Sequence, residues 1–345
     1  MTARLESARR ISAVIAGLED SEVRALVATA KKVGIGIGGT TRTTHIDGAP
    51  VFIKQLPITV AERADPLAAV NHNGLPFVSH YGIGSPSHGV GRELAAHQMT
   101  SSWVCSGAVD FFPLLLGWRN IDLKTETDLS EFAGDGPQHR WGSSWPQVAK
   151  KLAEMMAARS SMVLFLEYVP GTLGSSIRTS LAGNTREFDF THTVKQIIEA
   201  TAWMKKQGFQ HFDVHPGNIL VNEGRLLFTD FGLSLHPDFV LTPDEESAMP
   251  SHADFDRDTA LMHLFHWVLF ELGYSSADGR LALLRAAAGD GSASELDPVR
   301  VALGSGADLI ADHAGVVVRM TEMFALLIRD AFGARYEGAE QRGDR

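Results

Sequence analysis

At Pro170-Gly171 the chain changes character, and that change limits its possible folds more than any other feature. Before it, VGIGIGGTTRTTHIDGAPVFIKQL reads as a strand, a glycine turn, a strand, a hairpin turn at Asp47-Gly48 and a third strand. FFPLLLGW and SMVLFLEYV read as buried strands, with a helix near Gln147 to Arg159 between them, and RELAAHQM reads as helix. After it strands become scarce. THTVKQIIEATAWMKKQG is a helix ending in Gly208, and DTALMHLFHWVLFELG is another ending in Gly273. The expectation is an α+β chain: a helical segment over 1–32, a strand-rich lobe with insertions over 33–169, and a helical lobe over 170–345. In the first segment Asp20 or Ser21 is the expected N-cap before EVRALVATAKK.

Composition removes several classes of function. With 44% hydrophobic and 21% charged residues the chain has the make-up of a soluble globular protein. No apolar run approaches the roughly 20 residues of a membrane span, so no membrane partner is expected. Arg9-Arg10 followed by ISAVIAGL imitates a signal peptide, but Glu19 and Asp20 follow at once, and an amphipathic helix is the better reading. The single cysteine, Cys105, excludes an internal disulfide framework, fits a reducing cytoplasm, and is expected in the core. A net charge of −10 argues against general affinity for nucleic acid. From His211 onward there are 22 acidic residues against 10 arginines and no lysine, a surplus of 12 negative charges that would suit a cationic substrate or simply a solvated surface.

The strongest chemical signal is HFDVHPGNIL, residues 211 to 220, followed by LLFTDFG, residues 226 to 232. Asp213 lies five residues before Asn218, and Asn218 twelve before Asp230. Phosphoryl transfer needs an acceptor hydroxyl held in line and metal ions that neutralise phosphate charge. A short loop can present a carboxylate to the hydroxyl and an amide oxygen to Mg²⁺, and a second carboxylate one hairpin later can complete the metal site. These segments resemble the catalytic loop and DFG motif of the protein-kinase-like superfamily. In its HxDxHPxN form the loop is similar to aminoglycoside phosphotransferases and related small-molecule antibiotic kinases. The resemblance implies a bilobal fold with an antiparallel-sheet N-lobe, Asp213 as catalytic base, Asn218 and Asp230 as Mg²⁺ ligands, and a nucleotide, ATP or GTP, as phosphoryl donor. His215 stands where protein kinases carry a lysine, which implies a phosphate-contacting or structural role in the loop.

Upstream residues extend the resemblance. Gly34, Gly36 and Gly39 fit G-x-G-x-x-G, a string shared with dinucleotide-binding folds. A Rossmann turn must feed a helix, whereas TRTTHIDGAPVFIK is a hairpin, so the string is similar to a kinase phosphate-covering loop, with Thr41 in place of the usual valine. Lys54, ending VFIK, resembles the lysine that contacts the α- and β-phosphates. Its expected partner is Glu93 in GRELAAHQ, with Glu62 as the alternative. VLFLEYVPG resembles the last N-lobe strand and hinge, which would have Glu167 and Val169 meet adenine through the backbone, with Leu166 behind. The stretch from Lys54 to Glu93 is long for the family, and Ile121 to about Ser144 is an insertion that reads as a lid or a long loop. One of Asp254, Asp256 and Asp258 is expected to cap the following helix and brace the catalytic loop, and His263 and His266 to be core or groove-facing.

The acceptor is the open question. The stretch after Gly232 lacks the A-P-E and D-x-W-S-x-G elements of protein kinases, which with His215 favours a small hydroxylated acceptor, cationic if the acidic half is used, and antibiotic resistance as a role. The intact DFG favours the alternative, a Ser/Thr protein kinase. A nucleotide-binding pseudokinase module is the third reading, opposed by the retention of Lys54, Asp213, Asn218 and Asp230 together.

Overall fold

Strand-forming sequence in the first half produces a single antiparallel sheet. The computed structural model describes residues 2–82, 84–183, 188–289 and 296–338, and these group into two units. Unit 1 comprises residues 1–169 and 230–246, and unit 2 comprises 170–229 and 247–345.

Unit 1 opens with α1 (Thr2–Gly17) and α2 (Asp20–Thr29), followed by β1 (Lys31–Gly36), β2 (Gly39–Ile46) and β3 (Ala49–Ile58). Then come α3 (Val90–Cys105), β4 (Leu115–Ile121), α4 (Gly136–Trp141), α5 (Trp145–Ala157) and β5 (Ser160–Glu167). The α2 N-cap is Glu19, one residue earlier than expected, because Glu22 accepts back from the Glu19 N–H and closes a capping box. The helix also ends earlier, since Lys31 and Lys32 pair with Thr43 and Arg42 as the start of β1. The five strands run in the order β1-β2-β3-β5-β4.

Alternation along β3 puts Val51 and Ile53 on one face of the sheet, and Phe52, Lys54, Leu56 and Ile58 on the other. On that second face Leu56 and Ile58 pack with Met162, Leu164 and Leu166 of β5 against Val90 and Leu94 of α3. Val90 and Leu94 are one helical turn apart, so the same packing brings Glu93 down beside Lys54. Cys105 corrects its expectation: it is the last residue of α3 and exposed, while Val104 beside it takes the buried face. On the outer strand, the Arg119 guanidinium of β4 donates to the Ile15 and Ala16 carbonyls of α1.

Unit 2 contains β6 (Gly171–Thr172), α6 (Leu173–Gly183), α7 (Phe190–Gln207), β7 (Ile219–Asn222) and β8 (Arg225–Phe228). After α8 (Pro243–Ala248), which straddles the boundary, follow α9 (Phe255–Glu271), α10 (Ala277–Ala288), α11 (Asp297–Leu303) and α12 (Gly306–Leu327). The Asp189 side chain caps α7 by accepting from the His192 N–H, and left-handed Gly208 stops it. Helix α9 buries Leu261, Leu264, Phe265 and Val268 and forms the centre of this core, with α7, α10 and α12 against it. Among the described residues no helix is long and apolar enough to cross a membrane.

Residues 230–246, in the helical half by sequence, group with unit 1. They are tied there by the 57–90 stretch: Val240 bridges Val70, the His88 N–H donates to the Gly232 carbonyl at 3.2 Å, and the Val240 N–H donates to the Ala69 carbonyl at 3.0 Å.

Candidate active site

In unit 1 the centre is Lys54. Its Nζ lies 2.6 Å from Glu93 Oε1 and 2.8 Å from Asp230 Oδ1. Burial alone would push the Lys54 pKa down, but the two carboxylates outweigh it and hold the ammonium above its ordinary value, so it stays charged. Glu93 is buried at the foot of α3, and Asp230 is partly open. Asp230 itself has φ +69°, a strained left-handed conformation for a non-glycine residue. Phe231 anchors the turn from below: it is fully buried, with its ring edge-on to His97 at 4.6 Å and to Phe112 at 5.9 Å. Glu62, the other possible partner of Lys54, is engaged elsewhere. Its Oε1 accepts from the Val90 N–H at the start of α3 and from Lys151, while its Oε2 accepts from Thr59.

The glycine-rich hairpin has Gly34 and Gly36 in β1 and Gly39 at the start of β2. Gly39 has φ +134°, and a Cβ there would collide with the Gln55 carbonyl, so only glycine fits. The insertion after Ile121 is attached to this hairpin. The Asp128 N–H donates to the Gly36 carbonyl at 3.0 Å, and Thr40 Oγ1 donates to the Glu126 carbonyl at 2.9 Å. Glu167, at the end of β5, offers its N–H to the Leu114 carbonyl at 2.8 Å. Its carboxylate receives a fork from Arg4 of α1 at 2.7 and 2.6 Å. Val169 closes the first stretch of unit 1.

In unit 2 the loop from His211 to Asn218 is held by backbone hydrogen bonds. Asp256, at the start of α9, accepts from the His211 and Phe212 N–H groups, both at 2.7 Å. It is thus the aspartate of its cluster that braces the loop; Asp254 pairs with Lys205 and Arg257, and Asp258 with Arg257 and Tyr336. Burial, aided by the nearby Asp213 charge and opposed by the two N–H donors, pushes Asp256 up to about 6. His211 Nε2 faces the Thr229 carbonyl at 3.0 Å, which can only accept, so Nε2 carries the proton and Nδ1 accepts from the Asp213 N–H at 3.3 Å. Phe212, at φ +65°, is buried between Phe255 and His252.

Asn218 Nδ2 donates to the Asp213 carboxylate at 2.9 Å and to its carbonyl at 3.1 Å. That leaves the Asn218 amide oxygen as the atom of this side chain able to take a cation. His215 Nδ1 accepts from the Gly217 N–H, which puts the proton of the neutral ring on Nε2, 3.9 Å from Asp213 Oδ1. His263 stands against His215 at 5.8 Å and is pushed down to about 3 by burial and by its histidine neighbours, so it is neutral near pH 7. An amide oxygen and a carboxylate are hard oxygen donors, which suits Mg²⁺.

Sequence reasoning did not single out Arg4, Arg92 or Glu245. Arg92 sits next to Glu93 and Glu245 in an acidic run, and neither position has a signature that separates a buried ion pair from surface charge.

Residues 145–238 match the model of the protein kinase domain. The chain is also 37% identical over 89 residues to the CTD kinase subunit alpha of Schizosaccharomyces pombe (strain 972 / ATCC 24843), a match covering 24% of this chain and 14% of that protein. It is 34% identical over 89 residues to CBL-interacting protein kinase 12 of Oryza sativa subsp. japonica, covering 26% and 16%. Over 84 residues it is 34% identical to CBL-interacting serine/threonine-protein kinase 18 of Arabidopsis thaliana, covering 24% and 16%. The chain thus spans under a fifth of the length of these relatives. The matched family model runs through both the Asp213 loop and Asp230, and the chain is protein-kinase-like over that stretch.

Proposed function

We propose that this protein is an ATP- and Mg²⁺-dependent phosphotransferase acting on an alcohol, with Asp213 as general base. The observation that carries the reading is the Asp213 carboxylate fixed by Asn218 on a loop braced by Asp256, in a stretch similar to protein kinases. Lys54, backed by Glu93, would bind the nucleotide phosphates, and Gly34, Gly36 and Gly39 would cover them. Asn218 and Asp230 would hold Mg²⁺, which when bound neutralises phosphate charge. Glu167 and Val169 would present backbone groups to adenine. Asp213 would orient the acceptor hydroxyl and take its proton. The lone, exposed Cys105 fits a reducing, cytoplasmic setting.

For the acceptor, the relatives favour a protein Ser/Thr hydroxyl, since one is named a protein kinase and another a serine/threonine-protein kinase. The surplus of negative charge beyond residue 210 would suit a basic peptide. A small hydroxylated acceptor is the second reading, favoured by His215 and by the missing A-P-E and D-x-W-S-x-G elements. Incubation with γ-labelled ATP, Mg²⁺, a basic Ser/Thr peptide library, and a panel of hydroxylated antibiotics and nucleosides separates the two. Label on peptides alone supports the first reading, label on small molecules alone the second, and label on none contradicts phosphotransfer to either class.

A further inference from the structure

Next to Glu93 on α3, Arg92 points into a buried cluster outside the nucleotide machinery. Its guanidinium forks onto Glu245, Nη1 to Oε1 at 2.6 Å and Nη2 to Oε2 at 2.9 Å, and Nη2 also donates to the Val240 carbonyl at 3.1 Å. Both side chains are 1% or less exposed. Glu245 also accepts from the Thr242 N–H at 2.8 Å. His80, from the stretch between β3 and α3, connects the same carboxylate to the DFG turn: Nε2 lies 3.1 Å from Glu245 Oε1, and Nδ1 lies 2.7 Å from the Leu233 carbonyl. Although burial alone would raise it, Arg92 and His80 hold the Glu245 carboxyl far below the usual range, so the pair is ionic.

In protein kinases the lysine–glutamate pair and the DFG aspartate must both be in place, and phosphorylation of the following segment controls this through new arginine pairs. Here an arginine adjacent to Glu93 already holds a carboxylate from that segment. The segment's two hydroxyls before Glu245 are also engaged: Ser234 is buried and donates to the Phe231 carbonyl, and Thr242 Oγ1 accepts from the Glu245 N–H.

We infer that Arg92 and Glu245 are positioning residues whose buried ion pair sets Glu93 against Lys54 and fixes the DFG turn, so that the site is assembled without phosphorylation of residues 233–244. The inference rests on the phosphotransferase reading for its kinetic arm only. Its structural arm is the reactivity of Lys54 toward an amine-acylating reagent, read by mass spectrometry on the full chain.

Glu245→Gln and Arg92→Met should each raise Lys54 labelling and lower kcat by about tenfold, with acceptor KM changed by less than about twofold and partial recovery in Arg92→Lys. Phosphatase-treated wild type should match the untreated protein in both readouts. The double variant R92M/E245L removes both charges and so avoids an uncompensated buried ion; it should fold yet keep the defect of the single variants. Full protection and turnover in the double variant, unchanged labelling in Glu245→Gln, or a Glu245→Gln-like defect after phosphatase treatment would each overturn the inference. Should wild type transfer no phosphate, the functional reading fails, while the labelling still decides this one.

Discussion

The two units hold their chemical groups by different means. In unit 1, Lys54 holds Glu93 and Asp230 by charge, the three lying on a strand, a helix and a turn far apart in sequence. In unit 2, Asp213 and Asn218 are five residues apart and are held by hydrogen bonds, with the loop backbone anchored on Asp256. A charge-held group fails when one partner is removed, because the others are left buried and uncompensated. A hydrogen-bonded loop fails when its acceptor changes protonation or its backbone is forced.

The largest stability effect therefore belongs to unit 1. Lys54→Met leaves Glu93 buried without its cation and should cost about 3–5 kcal/mol, measured by denaturant unfolding. A loss under about 1 kcal/mol would mean that the pair contributes little to stability.

Unit 2 should respond to pH instead. The Asp256 carboxyl binds its proton more tightly in the fold, at about 6, than its ordinary 3.8 allows in the unfolded chain. Its contribution is therefore full below 3.8 and is lost as pH rises through about 6. That difference in proton affinity corresponds to about 3 kcal/mol. Unfolding curves between pH 3.5 and 6.5 should show this fall in wild type, superposed on the opposite trend from buried neutral histidines such as His263, which gain stability as pH rises. Subtracting the Asp256→Asn curve isolates the carboxyl; an unchanged slope in that variant would assign the fall to other groups.

Much of unit 2 was legible because Asp213 and Asn218 are close in sequence, five residues apart on one short loop. The identity of the brace was not, because Asp254, Asp256 and Asp258 share a helix start and only the fold decides which faces the loop. In unit 1 the strands could be read from β-branched runs and turns. Glu93 ranked ahead of Glu62 as the partner of Lys54 only by resemblance, since both follow Lys54 on helix-compatible sequence. Packing of Val90 and Leu94 on the sheet separates them, and packing is a long-range property. Cys105 was misplaced for a related reason: on α3 a one-residue step moves a side chain from the core to solvent.

A smaller effect tests the glycine hairpin of unit 1. Gly39→Ala forces a side chain into a φ of +134° against the Gln55 carbonyl and should cost about 1–3 kcal/mol, with a matching fall in Tm. The equivalent change at Gly36, where a Cβ meets nothing within 4 Å, should be nearly neutral in stability. Smallest of all is the exposed Arg285–Glu322 pair linking α10 and α12 at 2.7 Å. A double-mutant cycle there should give a coupling of at most about 1 kcal/mol that shrinks in high salt.

The central claim is that unit 1 groups bind the nucleotide while Asp213 of unit 2 carries the chemistry. Wild type, Asp230→Ala and Asp213→Asn should be compared in two assays, thermal stabilisation by Mg²⁺-ATP and transfer of labelled phosphate to the best acceptor found. Saturation at about 100 Kd should stabilise wild type by about 2.7 kcal/mol. Asp230→Ala should lose the metal-dependent part of that gain. Asp213→Asn should keep the gain in full while its turnover falls by about 10²- to 10⁴-fold. Undiminished turnover in Asp213→Asn, or no stabilisation of wild type by Mg²⁺-ATP, would contradict the claim.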